Sequence, residues 1–184
     1  PAPSVDDFSV EQFERPADTT PPDPSVFEAW DYVYTALGEE RYIASPTPGI
    51  TALTQLGDTT TGLMLYALKP EVVRAANRRS TDHQNAMDPY TIRSQAPGAL
   101  CEQDMAGSNG PLISPAMFRE HCFPHLRERI QHMKQYTPQI IFHNCGNNIP
   151  LMDQFIAAGV DCYQSLQTTA GMEVGLLKKR YGHA

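Results

Sequence analysis

Positive charge is in short supply. Lys and Arg total 14 against 21 Asp and Glu, a net charge of −7. A nucleic-acid binder usually shows a basic face, so this balance argues against one. Long apolar runs are missing as well: nothing approaches the ~20 residues of a membrane-spanning helix. The N-terminus is proline-rich and acidic, without the charged start and apolar stretch of a secretory signal. It begins at Pro1 and not at a Met, which suggests a cut, a processed end or a partial reading frame. Cysteines are few and widely spaced: Cys101, Cys122, Cys145 and Cys162. A chain of 184 residues with so few is no small disulfide scaffold. Reduced thiols and a cytoplasmic location are the expectation. The glycines follow no dinucleotide-binding fingerprint, and no internal repeat is visible.

What is present is alternation. Residues 1–24, with "RPADTTPPDP", read as an extended arm or linker ahead of a domain at 25–184. "SVFEAWDYVYTALG" has an N-cap at Ser25, apolar residues at helical spacing and a stop at Gly38. "RYIASPTPGI" reads as a short strand entering a loop. "ALTQLG" and "GLMLYALKPEVVRAANRRS" read as helices, the second restarting at Pro70. "GALCEQDMAG" is the next strand. The strongest helix is "SPAMFREHCFPHLRERIQHMKQY", capped by Ser114 and kinked at Pro124. "QIIFHN" is a strand, "PLMDQFIAAG" a helix stopped at Gly159, "VDCYQSLQ" a strand and "GMEVGLLKKRYG" a last helix. Strands alternating with helices imply parallel strands and right-handed crossovers. The fold class is α/β, either an open doubly wound sheet or part of a (β/α)8 barrel.

"EQDMAGSNGPLISPAMFREHCFPHL" and "IIFHNCGNNIPLMDQFIAAGVDCYQSLQTTAGMEVGLLKKRYG" together resemble the uroporphyrinogen decarboxylase superfamily, in its branch of corrinoid- and thiol-dependent methyltransferases. The resemblance is strong from Leu100 to Gly182, weak but collinear from Glu39 to Ala99, and absent earlier. It implies a (β/α)8 TIM barrel with "RYIASP", "GALCEQD", "QIIFHN" and "DCYQSLQ" as strands 3–6. A whole barrel takes ~250 residues, so a partial barrel is expected here. Half a barrel exposes sheet edges and an apolar inner face, which invites association between copies.

The chemistry concentrates where these strands end. His143 and Cys145 lie at i and i+2, which places both side chains on one side of a strand, at the barrel mouth. Imidazole and thiolate both suit Zn²⁺, and the bland alternative is a strand end running into a turn. In the family it resembles, such a pair supplies two zinc ligands and a distant Cys a third, which falls outside this chain. Glu102 and Asp104 repeat the i, i+2 spacing. They could bind a metal, orient substrate or serve as catalytic acid and base, with Asp104 nearer the mouth, or simply face water. Gln164 and Gln167 sit where they could hydrogen-bond substrate. Asn147 is a further candidate there, although a cap or turn role suits it as well. His121, His125 and His132 read as packing or surface residues on the long helix.

The resemblance implies methyl transfer, from a corrinoid protein or a methylated small molecule, to a zinc-bound thiol. The alternatives are decarboxylation of a porphyrinogen-like tetrapyrrole, or an inactive half barrel held in a complex. The expected partners are a small-molecule thiol or methyl donor and a corrinoid protein, with neither nucleic acid nor membrane.

Overall fold

A computed structural model describes residues 3–183. Its centre is a parallel sheet of three strands in the order β1-β4-β5, with β1 at Ala99–Glu102, β4 at Ile140–His143 and β5 at Cys162–Gln164. A short antiparallel hairpin, β2 (Ala106–Gly107) and β3 (Gly110–Pro111), follows β1. The helices are α1 (Glu28–Leu37), α2 (Thr59–Leu68), α3 (Pro70–Thr91), α4 (Pro115–His121), α5 (Phe123–Met133), α6 (Met152–Ala158) and α7 (Val174–Tyr181). Each parallel step passes through helices, as the alternation of periods requires.

The two faces of the sheet differ sharply. Ala99, Cys101, Ile140 and Phe142 are buried against α4, α5 and α6, where Phe118, Cys122, Leu126, Ile130, Met133 and Phe155 complete the core. Phe142 meets Phe155 edge-on at 5.2 Å between ring centroids. Burial raises the Cys101 and Cys122 thiols to about 12 each, so both stay protonated packing residues. The alternate residues form the opposite face. Register aligns Leu100, Ile141 and Cys162 in one row and Glu102, His143 and Gln164 in the next. The second row lies at the C-terminal ends of the strands, and it is polar throughout.

Local sequence signals explain most boundaries. Asp58 caps α2 through Thr61 N at 2.8 Å. Ser114 caps α4 through Met117 N at 3.2 Å, a structural role. Pro124 splits the long helix into α4 and α5 around Cys122, as expected of an internal proline. Gly159 ends α6 in the left-handed conformation with φ 99°.

Three readings are corrected. "ALTQLG" forms no helix, because its backbone finds side-chain partners. Ala52 N and Leu53 N both donate to Gln103 Oε1, at 2.8 and 3.0 Å, and Gln103 Nε2 donates back to Leu53 O at 2.9 Å. "RYIASP" shrinks to a single parallel bridge, Ser45 with Ala99. Pro46 and Pro48 follow it and lack the N–H groups a longer ladder needs. The helix that starts at Pro70 is longer than expected and runs through to Thr91.

The proline-rich N-terminal segment lies along α2 and α3. Thr61 Oγ1 donates to Pro3 O at 2.9 Å, Lys69 Nζ to Phe8 O at 3.1 Å and Arg79 Nε to Arg15 O at 3.1 Å. No helix among the described residues is long and apolar enough to cross a membrane.

Candidate metal centre

At the C-terminal edge of the sheet, three loops converge. The first leaves β1 and carries Asp104. The second leaves β4 and carries Cys145. The third leaves β5 and carries Gln167. Asn144 N donates to Gln164 O at 2.7 Å and Gln103 N to His143 O at 3.1 Å, so all three strand ends are tied by main chain.

His143 and Cys145 face one another, as their spacing predicts: Cys145 Sγ is 3.4 Å from His143 Nε2. Asp104 joins them. Its Oδ1 accepts the Cys145 N–H at 2.7 Å and lies 3.9 Å from His143 Nε2. The nitrogen, sulfur and oxygen donors all lie within 4.8 Å of one another. Beside the third ligand expected from beyond this chain, Asp104 offers a candidate donor within it. The donors come from two strand ends and the loops that leave them, which register sets side by side, since Glu102 pairs with His143 across β1 and β4.

The turn between Cys145 and Asn148 is built from polar side chains. Asn144 is fully buried, and its Oδ1 accepts Met105 N at 3.0 Å and Asn148 Nδ2 at 2.9 Å. Asn148 Nδ2 also donates to Cys145 O at 2.7 Å. Tyr163 Oη donates to Asn144 O at 2.6 Å, and burial pushes that phenol well above its ordinary value. Gly146 has φ 85°, and a Cβ there would stand 2.4 Å from Ala106 O. Only glycine fits so close an approach. Asn144 and Asn148 went unnoticed in the sequence. Their one signal was their spacing, i and i+4 around the glycine of "NCGNN".

The other candidates are placed as follows. Glu102 is exposed on the inner face, and with Gln103, Asp104 and His143 it lines a shallow pocket of about 230 Å³. Gln164 Oε1 contacts His143 Nδ1. Gln167 Oε1 accepts Gly146 N at 2.9 Å, and its amide reaches Thr169 Oγ1 at 3.4 Å. Asn147 N donates to Gly107 O at 2.9 Å, and its Oδ1 accepts Ile149 N at 3.3 Å. Asn147 and Gln167 thus brace the loop. Cys162 lies one row below the site, and Cys101 faces the helices. His121, His125 and His132 pack against α3 through Arg74, Thr81 and Asp88 respectively.

A parallel α/β arc with candidate metal-ligating side chains at its strand ends places the site where barrel enzymes carry theirs. The family model described as uroporphyrinogen decarboxylase (URO-D) matches residues 1–175, and the chain belongs to this family, whose fold is the TIM barrel. The match starts well before Glu39, so it takes in the N-terminal segment where the motif resemblance is absent. No curated protein and no solved structure matches the chain.

Proposed function

We propose that this chain belongs to the methyl-transferring kind of URO-D enzyme. It passes a methyl group, from a corrinoid carried by a partner protein or from a methylated small molecule, to a thiol held on zinc. The observation that carries this reading is the convergence of Asp104, His143 and Cys145 within 4.8 Å. Their oxygen, nitrogen and sulfur donors suit zinc, and three protein donors beside an open position are the pattern of catalytic zinc. Among the described residues, His143 is the one ion-pair partner of Asp104.

Asp104, His143 and Cys145 would hold zinc, which would lower the pKa of a thiol in the open position and favour its thiolate. The protein does the rest. His143 and Cys145 hold from the β4 side and Asp104 from the β1 side. Glu102, exposed on the same face and in register with His143, takes the proton that the thiol sulfur gives up onto a carboxylate oxygen. A decarboxylase acting on a polycarboxylate fits less well. Glu102 and Asp104 put negative charge on this face, and neither row of inner-face residues contains an Arg or Lys.

Metal analysis of the full chain tests the reading. The wild type is expected to bind zinc, and His143→Ala, Cys145→Ser and Asp104→Ala to weaken binding by about tenfold or more each. Equal zinc content in all four proteins would sink the proposal.

A further inference from the structure

His143 has two ring nitrogens, and the site uses both. Nε2 faces Cys145 Sγ at 3.4 Å and Asp104 Oδ1 at 3.9 Å. Nδ1 points the other way along the inner face and meets Gln164 Oε1. The pairing follows from the sheet itself, because His143 and Gln164 are register partners across β4 and β5. Gln164 is also fixed by its main chain, whose carbonyl accepts Asn144 N at 2.7 Å.

We infer that Gln164 is a positioning residue for the metal centre and not a substrate contact: its carbonyl oxygen accepts the Nδ1–H of His143 and so leaves the Nε2 lone pair free to bind the metal. In a neutral imidazole one nitrogen carries the proton and the other accepts. An acceptor at Nδ1 selects the tautomer with the proton on Nδ1. It also restrains rotation about χ2, so that the ring keeps Nε2 aimed at Cys145 and Asp104. Partners of this kind tune a ligand's orientation and basicity, and losing one typically weakens metal binding roughly 10–100-fold. The third row member, Glu102, lies on the opposite side of His143, next to the pocket. The row thus divides its work: β5 orients, β4 ligates and β1 offers a carboxylate to the proton.

The inference rests on the metal-site reading above, yet it has a readout that needs no metal. In the metal-free full chain, long-range ¹H–¹⁵N correlation of the His143 ring reports which nitrogen carries the proton. The wild type is expected to show the proton on Nδ1. Gln164→Leu is expected to shift the population toward Nε2–H, and Gln164→Glu, which keeps an acceptor oxygen, to restore the wild-type pattern. Co(II) titration followed by its visible absorption is expected to show affinity falling roughly 10–100-fold in Gln164→Leu and recovering in Gln164→Glu. A wild-type ring protonated on Nε2 overturns the inference whatever the metal does. So does a folded Gln164→Leu with unchanged tautomer and unchanged Co(II) affinity. If the wild type binds no Co(II) while the tautomer still depends on Gln164, the metal-centre reading fails and the positioning role stands.

Discussion

Arg129 is the largest fully buried side chain among the described residues, and its charge is matched. Its guanidinium grips both carboxylate oxygens of Asp88, at 2.6 and 3.0 Å. It also donates to Asn85 Oδ1 at 2.7 Å and to Gly49 O at 3.0 Å, while His132 Nδ1 reaches Asp88 Oδ2 at 2.6 Å. One side chain thereby ties α5 to α3 and to the loop after Ser45. Charges buried this completely are strong only as a set. Arg129→Met leaves the Asp88 carboxylate in the core with His132 alone, and a loss of about 3–5 kcal/mol is expected in urea unfolding. A loss below about 1 kcal/mol, the scale of an exposed pair, would show that water reaches Asp88. Nothing in the sequence marked this pair, because the partners are far apart in the chain.

Among the elements, the turn after β4 decides the site. Gly146 and Gly159 both have positive φ, 85° and 99°, but their surroundings differ. A Cβ at Gly159 would meet Ile130 Cγ2 at 3.5 Å, an ordinary contact. Gly159→Ala is therefore expected to cost only the backbone strain, about 1–2 kcal/mol, with zinc binding unchanged. A Cβ at Gly146 would meet Ala106 O at 2.4 Å and Gly107 O at 2.8 Å. The turn must shift away from the β2-β3 hairpin, and the Cys145 N–H then loses Asp104. Gly146→Ala is expected to lower zinc affinity by about tenfold or more, read by competition with a chromophoric chelator. Wild-type affinity in that variant would show that the turn does not set the ligand geometry. The sequence announced Gly159 as a helix stop and a turn after His143. Only the hairpin's approach distinguishes them.

Across the whole molecule, stability should respond to acid through the helix layer outside the sheet. Burial holds the His125 imidazole below its ordinary value of 6.5, and the positive charge of Arg78 adds to that, while Glu128 and Asp82 oppose it. The unfolded chain takes up this proton near the ordinary value and the folded chain resists it. The contribution is therefore intact above pH 6.5 and is lost as pH falls below it, toward the lowered folded value. At lower pH the same layer loses a second support. Arg78 holds Glu128 below its ordinary 4.5 through paired hydrogen bonds of 2.6 and 2.8 Å. From about pH 7.5 to about pH 5.5 the melting temperature of the wild type is expected to fall more than that of His125→Gln. Parallel decreases in the two proteins would assign the acid sensitivity to other groups.

Local chemistry set the alternation of strands and helices, the helix cap at Ser114, the break at Pro124 and the facing of His143 and Cys145. These are local matters, fixed by period, by backbone chemistry and by an i, i+2 spacing. Tertiary structure decided the rest. It turned "ALTQLG" into a loop, because Gln103 reaches its backbone from another element. It reduced "RYIASP" to one bridge. It brought Asp104 into the donor set and Gln164 onto the far nitrogen of His143. Parallel register determines which side chains share a row, and it is set by how three strand ends stack on a common core. No single segment carries that information.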